Sequence, residues 1–349
     1  MTTSSSPAYS HPNEPVRHSY PLSVQDANLS TAIGLVMRTA PYAIGRFMVL
    51  FGTSLVTIVW YAVTFGGWFL LGKLHPLIGF VWFIGCCMVF GYLWRTLVRY
   101  FLYMLKAGQI AVLTELLTRG QIGDGNEGMF QYGKRVVTER FGQMNAMFAL
   151  DMLVHGVVRA FNRTLDWIAG LLPIPGLRDI VGIVNAIVYS AATYVDETIL
   201  SYSLARGDED VFRSSRDGLI YYAQNSKEVL KTGMWIVVLD KVTTAVAWIV
   251  MLVPAGLIAW LMPASIKGGA TLLTLVVSAL FTWNLRAAFL EPLFLTMIMI
   301  KFHVSVHGQA INLEWDERLS QVSGKFVELK NHIGSPVGVS PVTAPVTPA

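Results

Sequence analysis

Charge is scarce in this chain. Of its 349 residues only 14% are Asp, Glu, Lys or Arg, against about 25% in an ordinary soluble domain. The hydrophobic set makes up 54%, and the mean hydropathy is +0.52. This composition argues against a soluble globular enzyme. The net charge of +4 is not gathered into a basic stripe with interleaved aromatic residues, so nucleic acid is not an expected partner.

Cysteine and catalytic motifs are also lacking. The only cysteines, Cys86 and Cys87, are neighbours in an apolar run, where a disulfide between them would be strained. No Walker A loop, HExxH, GxSxG or CxxC motif is present. His303 and His307 have metal-ligand spacing, but no third ligand lies nearby. We therefore expect no enzymatic activity, no cofactor and no metal.

The two ends of the chain are poor in long apolar runs. Residues 1–30 are rich in Ser, Pro and Thr and lack the apolar core of a cleaved signal sequence. Residues 333–349 are rich in proline, which opposes helix and central strand. Both segments are predicted to be disordered tails.

Long uncharged runs occupy much of the remaining sequence. About 20 apolar residues suffice to cross a bilayer, and backbone groups in hydrocarbon are satisfied within a helix. The pattern predicts an all-α polytopic membrane protein with four transmembrane helices in two hairpins. The uncharged runs are 47–72, 74–94, 242–266 and 268–285, and the predicted hairpins are 45–98 and 235–300.

Orientation in the membrane follows from the distribution of Lys and Arg. The turn of each predicted hairpin carries a single lysine, Lys73 or Lys267, whereas the flanks and the central segment carry most of the others. Because short cytoplasmic flanks retain positive charge, both termini and the central segment are predicted to be cytoplasmic. The plasma (inner) membrane is the expected location.

Residues 99–233 and 301–332 carry apolar side chains at helical spacing. In the first region this predicts amphipathic cytoplasmic helices that lie on the membrane or pack as a bundle. A re-entrant hairpin around residues 171–176 is the alternative. In the second region a seam of apolar residues predicts one amphipathic helix whose apolar face requires a partner surface. The seam consists of Trp315, Leu319, Val322, Phe326 and Leu329.

Four charged residues lie within the last two predicted spans: Asp240, Lys241, Arg286 and Glu291. Such residues are costly in hydrocarbon unless they are paired or solvated. Counted from the connecting turn, Lys241 and Glu291 lie at nearly the same depth, which predicts a direct pair. Asp240 and Arg286 are offset by five residues on the same count, about 7.5 Å along the helix, which long side chains can nearly bridge. The four charges form either a staple near the cytoplasmic interface or a polar pathway.

Asp196 and Glu197 end a long uncharged run. Adjacent residues on a helix point about 100° apart, so they are not expected to be a catalytic pair. A solvated helix face is one interpretation, and cation or proton binding is the other.

The segment 214–243 resembles the choline transporter-like family. Members carry a Ser-Ala-Lys/Arg-Asp-Ala element and an Asn shortly before a Val-Leu-Asp-Lys-Val-Thr run that opens a membrane span. The matching residues here are Ser215, Arg216, Asp217, Asn225, Val238, Leu239, Asp240, Lys241, Val242 and Thr243. The resemblance covers some 30 residues and implies movement of choline or a related organic cation.

Two functions remain open from the sequence. The first is a small-solute permease or channel for an organic cation, with a polar pathway through the four intramembrane charges. The second is a non-enzymatic scaffold or accessory subunit that binds a protein partner, or a second copy, through its amphipathic helices. The lipid bilayer is an expected partner of both.

Overall fold

The computed structural model describes residues 20–123, 127–141, 144–162, 194–207, 210–263 and 267–333. Within these ranges the regular structure is helical and no strand occurs, so the predicted all-α class is confirmed there. The re-entrant segment 171–176 and the tail beyond residue 333 lie outside the described residues.

The helices are numbered in chain order. They are α1 (Leu29–Arg38), α2 (Ala40–Leu74), α3 (Pro76–Leu93), α4 (Arg99–Arg119), α5 (Met129–Phe141), α6 (Met144–Asn162), α7 (194–205), α8 (Val211–Gln224), α9 (Ser226–Leu261), α10 (Lys267–Leu285), α11 (Glu291–Val306), α12 (Glu314–Val322) and α13 (Gly324–Asn331). Two π-helical segments, Trp94–Val98 and Arg286–Leu290, continue α3 into α4 and α10 into α11.

Four helical stretches of the described chain are long and apolar enough to cross a membrane: Ala40–Leu74, Pro76–Arg119, Ser226–Ile258 and Thr271–Val306. Each overlaps one of the four uncharged runs, and the last three extend well beyond that run at one end. Hydropathy marks only the apolar part of a helix, whereas backbone hydrogen bonding continues into polar sequence until a cap or a break. By length and composition these helices are compatible with an integral membrane protein.

The chain folds into two compact units. The span unit comprises Val36–Gln109 and Leu239–Phe294, and the polar-core unit comprises the described parts of Met1–Leu35, Ile110–Val238 and Leu295–Ala349. The chain passes between the units four times. The polar-core unit therefore draws on three separate parts of the sequence, rather than on the continuous region 99–233 that the sequence predicts.

Close approach of α2 and α3 characterises the span unit. Only His75 separates the two helices. A Cβ atom on Gly67 would lie 2.2 Å from Nε1 of Trp82, and one on Gly79 would lie 2.9 Å from the backbone of Gly72. Glycine at these positions allows the helices to touch. Most large apolar side chains of α2 and α3 are exposed, as expected of a surface that faces lipid.

Most of the C-terminal seam faces the interior of the polar-core unit. Leu319, Phe326 and Leu329 are at most 1% exposed, whereas Trp315 is half-buried and Val322 is 39% exposed. The predicted single helix is wrong in one respect, because Ser323 adopts an extended conformation and separates α12 from α13. Serine followed by Gly324 has low helix propensity, while the apolar spacing continues across the break and conceals it.

The N-terminal segment differs from the predicted tail. Residues 1–19 lie outside the described residues, but Tyr20 is buried and the amide of Ser23 donates to the carbonyl of Leu117 at 3.0 Å. Helix α1 then begins at Leu29, with the Asn28 side chain accepting from the amide of Thr31 at 2.8 Å. Composition does not reveal such contacts, because they depend on the surface that receives the segment.

Candidate functional site

An ion network ties three of the four candidate spans together in the span unit. Its members are Arg46 on α2, Asp240 on α9, Arg286 in the second π segment and Glu291 at the start of α11. The guanidinium of Arg286 holds Asp240 with two hydrogen bonds, Nε to Oδ1 at 2.9 Å and Nη2 to Oδ2 at 2.7 Å. This bidentate geometry is the strongest arrangement for an arginine–carboxylate pair.

Glu291 completes the network. Its Oε1 accepts from Nη1 of Arg286 at 3.1 Å, and its Oε2 accepts from Nη2 of Arg46 at 2.7 Å. Two arginines thus meet two carboxylates, and the network is neutral. The side chain of Asp240 is only 4% exposed, whereas that of Glu291 is 26% exposed. The more deeply buried carboxylate, Asp240, is therefore the one that accepts two hydrogen bonds from a single guanidinium.

Local helix geometry brings these side chains together. Arg286 opens the π segment and Glu291 follows it directly. A π segment fits an extra residue into the turn and changes the direction in which the neighbouring side chains point. Arg286 can consequently contact both Asp240 and Glu291. Regular α-helical spacing does not predict this change in side-chain direction.

Lys241 does not join the network. It is exposed, and it forms no ion pair with any residue that the structure describes. The expected Lys241–Glu291 pair is therefore not formed, and Arg46 and Arg286 bind Glu291 instead. Arg46 belongs to the first hairpin, and residue spacing within the second hairpin does not reveal its contact with Glu291. The sequence signal for Arg46 was a lone arginine at the beginning of the first apolar run.

Aromatic and amide groups surround the network's helices. Phe47 on α2 packs against Phe281 at 5.6 Å and Phe289 at 6.0 Å between ring centroids. The amide of Asn284 donates to Oγ of Ser54 at 2.9 Å. These contacts join α2 to α10 and to the second π segment, so the ion network is part of a packed helix interface.

Asp196 and Glu197 are buried in the polar-core unit, at 5% and 8% exposure. The solvated helix face is therefore wrong. Asp196 on α7 is hydrogen-bonded to Nδ1 of His155 on α6. Burial raises the pKa of Asp196 to about 7, and the bond to Asp196 raises the pKa of His155. Because a hydrogen bond joins the two groups and both pKa values are raised, the pair is suited to holding a proton.

A second buried chain of polar groups connects four parts of the polar-core unit. Thr114 Oγ1 lies 2.7 Å from Ser201 Oγ, Ser201 Oγ lies 3.0 Å from His303 Nε2, and His303 Nδ1 lies 3.0 Å from the hydroxyl of Tyr20. Both ring nitrogens of His303 are thereby engaged. Serine beside histidine is also the geometry of a nucleophile and its base. Ser201 and His303 are fully buried, however. We therefore assign this series of hydrogen-bonded side chains to the core of the unit.

The residues that carry the family resemblance make structural contacts. Ser215 and Asp217 are fully buried in α8. Arg216 Nε donates to Asp316 at 2.7 Å, and Asn225 Nδ2 donates to Gln309 at 2.7 Å. Burial opposes ionisation of Asp316, but the bonds from Arg216 and from a neighbouring lysine outweigh it, so that its pKa is lowered. The first contact joins α8 to α12, and the second joins the residue after α8 to the segment before α12.

Comparison with known proteins gives no match: no family model, no curated protein and no solved structure corresponds to the chain. The resemblance to the choline transporter-like family stays a prediction.

Proposed function

We propose that the protein is an integral membrane scaffold or accessory subunit in which an ion clamp fixes two transmembrane hairpins to each other. The observation that carries this proposal is the closure of Arg46, Asp240, Arg286 and Glu291 into one neutral network. Charges that are matched and bound to each other stabilise a fixed helix arrangement. A transport site instead needs polar groups that remain available to a solute.

The depth of the clamp supports a structural role. About 20 residues separate Asp240 from the end of α9 and Arg286 from the start of α10, which corresponds to about 30 Å along each helix. The hydrocarbon core is also about 30 Å thick. If the hairpin turns lie at one face of the membrane, the clamp lies at the opposite interface. Substrate sites of transporters commonly lie near the midplane.

The polar-core unit is the part that would hold a partner in this proposal. Leu319, Phe326 and Leu329 of its apolar seam are already buried, so the partner would bind mainly another face of the unit. The excess of Lys and Arg in the segments outside the hairpin turns favours a cytoplasmic position for both termini. The plasma (inner) membrane remains the proposed location.

A permease for a choline-like organic cation is the second candidate. It is favoured by the partial exposure of Glu291 at the clamp and by the family resemblance around Asp240. In this alternative the clamp would open during transport, and Glu291 would meet the cation.

Native particle mass tests the scaffold directly. The protein is solubilised from its own membrane in a mild nonionic detergent, and its mass is measured by density-matched sedimentation. We expect a particle heavier than one chain of 38.6 kDa, and mixing of two differently tagged copies separates a second copy from another partner. Sedimentation as a single chain would contradict the scaffold.

An uptake assay tests the permease. Proteoliposomes that contain the purified protein are supplied with labelled choline. The scaffold predicts no saturable uptake above that of protein-free vesicles. Saturable uptake that the folded Asp240→Asn variant loses would overturn the scaffold in favour of the permease.

A further inference from the structure

Positive charge is strongly unbalanced in the span unit. The segments Val36–Gln109 and Leu239–Phe294 contain nine Lys and Arg residues but only two acidic residues, Asp240 and Glu291. Both acidic residues belong to the ion clamp, where they neutralise Arg46 and Arg286. No acidic residue of the span unit is left to balance the remaining cations.

Arg95 and Lys241 are among the exposed members of this remaining set. Arg95 lies in the first π segment, and Lys241 follows Asp240 on α9. Neither forms an ion pair or a hydrogen bond with another side chain in the part of the chain that the structure describes. Asp240 is nearly fully buried in the clamp, whereas the next residue, Lys241, is exposed on the outer surface. A cation on a lipid-facing surface requires a counter-charge or water.

Arg95 and Lys241 also have similar depths in their helices. Arg95 lies about 20 residues from the start of α3, and Lys241 lies about 20 residues from the end of α9, which is about 30 Å in each case. That distance places them near the edge of the hydrocarbon core, opposite the hairpin turns. Tyr92, Trp94 and Tyr100 flank Arg95 in sequence and are exposed, and Tyr and Trp favour the membrane interface.

We propose that Arg95 and Lys241 bind the phosphate groups of anionic phospholipids. A guanidinium forms a planar fork that matches phosphate, and an ammonium acts as a compact charge. Near an anionic membrane surface each such cation strengthens association about fivefold. The preference for anionic lipid therefore comes from exposed, unmatched cations beside the clamp. This inference depends on membrane insertion and is independent of the scaffold proposal.

Native mass spectrometry of the full-length protein in a neutral detergent tests this inference. The protein is titrated with phosphatidylglycerol, which is anionic, or with phosphatidylcholine, which is zwitterionic, and the bound lipids are counted. We expect wild type to prefer phosphatidylglycerol by about tenfold or more. Arg95→Gln and Lys241→Gln should each reduce the preference about fivefold, and the double variant should remove it.

Lys73→Gln is the matched control, because Lys73 is also an exposed cation of the span unit but lies beside the hairpin turn, over the ring of Phe69. It should retain the wild-type preference. Thermal unfolding of each variant checks that the fold is intact. The proposal is overturned if wild type shows no preference, if the folded double variant keeps it, or if Lys73→Gln lowers it as much as the double variant does.

Discussion

Removal of the Arg286 guanidinium should destabilise the protein more than removal of any exposed cation of the span unit. Arg286 makes both of the side-chain hydrogen bonds to Asp240 described above, and Asp240 has almost no access to water. Arg286→Met would leave a buried carboxylate without its partner, which costs about 3 to 5 kcal/mol. Loss of Arg286 would cost less free energy at Glu291, because Glu291 keeps its hydrogen bond from Arg46 and is partly exposed to solvent.

Lys241→Met is the matched control for this prediction. Lys241 is the residue next to Asp240, but it is exposed and belongs to no ion pair among the described residues, so its loss should change the free energy of unfolding by less than about 0.5 kcal/mol. The measurement is equilibrium unfolding in mixed lipid–detergent micelles, followed by tryptophan fluorescence.

A double-mutant cycle then isolates the Asp240–Arg286 pair. Replacement of both residues, as Asp240→Leu with Arg286→Met, removes the unpaired charge and should cost less than the sum of the single changes by at least about 1 kcal/mol. The reasoning is refuted if Arg286→Met is no more destabilising than Lys241→Met, or if the cycle shows no coupling.

Three further predictions concern helix packing, pH and topology. Gly67→Ala should weaken the α2–α3 interface, because the new Cβ would meet an indole, whereas Gly85→Ala meets nothing within 4 Å and should leave thermal stability unchanged. Burial raises the pKa of Asp196 from 3.8 to about 7, so the folded state binds a proton that the unfolded state has released, and its histidine partner shifts in the same direction. Stability should therefore fall as the pH rises from about 4 to about 7, and Asp196→Asn should flatten the profile; an unchanged slope would contradict this assignment. His75→Cys should react with an impermeant thiol reagent added to intact cells, while Glu139→Cys should not, and the reverse pattern would invert the topology.

The four helices that are long and apolar enough to span a membrane could be predicted from the sequence, because runs of about 20 apolar residues have few alternatives in a folded protein. The contacts among them could not be predicted in full. Residue spacing brought Asp240 and Arg286 close in depth but favoured Lys241 as the partner of Glu291, and the role of Arg46 depends on how the first hairpin packs against the second. The π segment at Arg286 adds a change in direction that hydropathy does not record.

Buried polar residues were the least predictable part of the polar-core unit. Asp196 belongs to a sequence that suits a solvated helix face, yet His155 and the packing of the unit keep it buried. The break at Ser323 was likewise concealed by apolar spacing that continues from α12 into α13. In both cases tertiary contacts outweigh the local pattern, and a single sequence does not reveal them.

Depth in the membrane distinguishes an interfacial clamp from a polar pathway most directly. Nitroxide labels are attached to the reconstituted protein at Lys241→Cys, beside the clamp, and at Val250→Cys, an exposed position about halfway along the apolar part of α9. Their collision rates with oxygen and with a water-soluble nickel chelate are then compared. We predict that residue 241 is at the water-accessible interface and that residue 250 is deep in the hydrocarbon. If residue 241 proves as deep as residue 250, the charges lie within the membrane interior, and the interfacial clamp is contradicted.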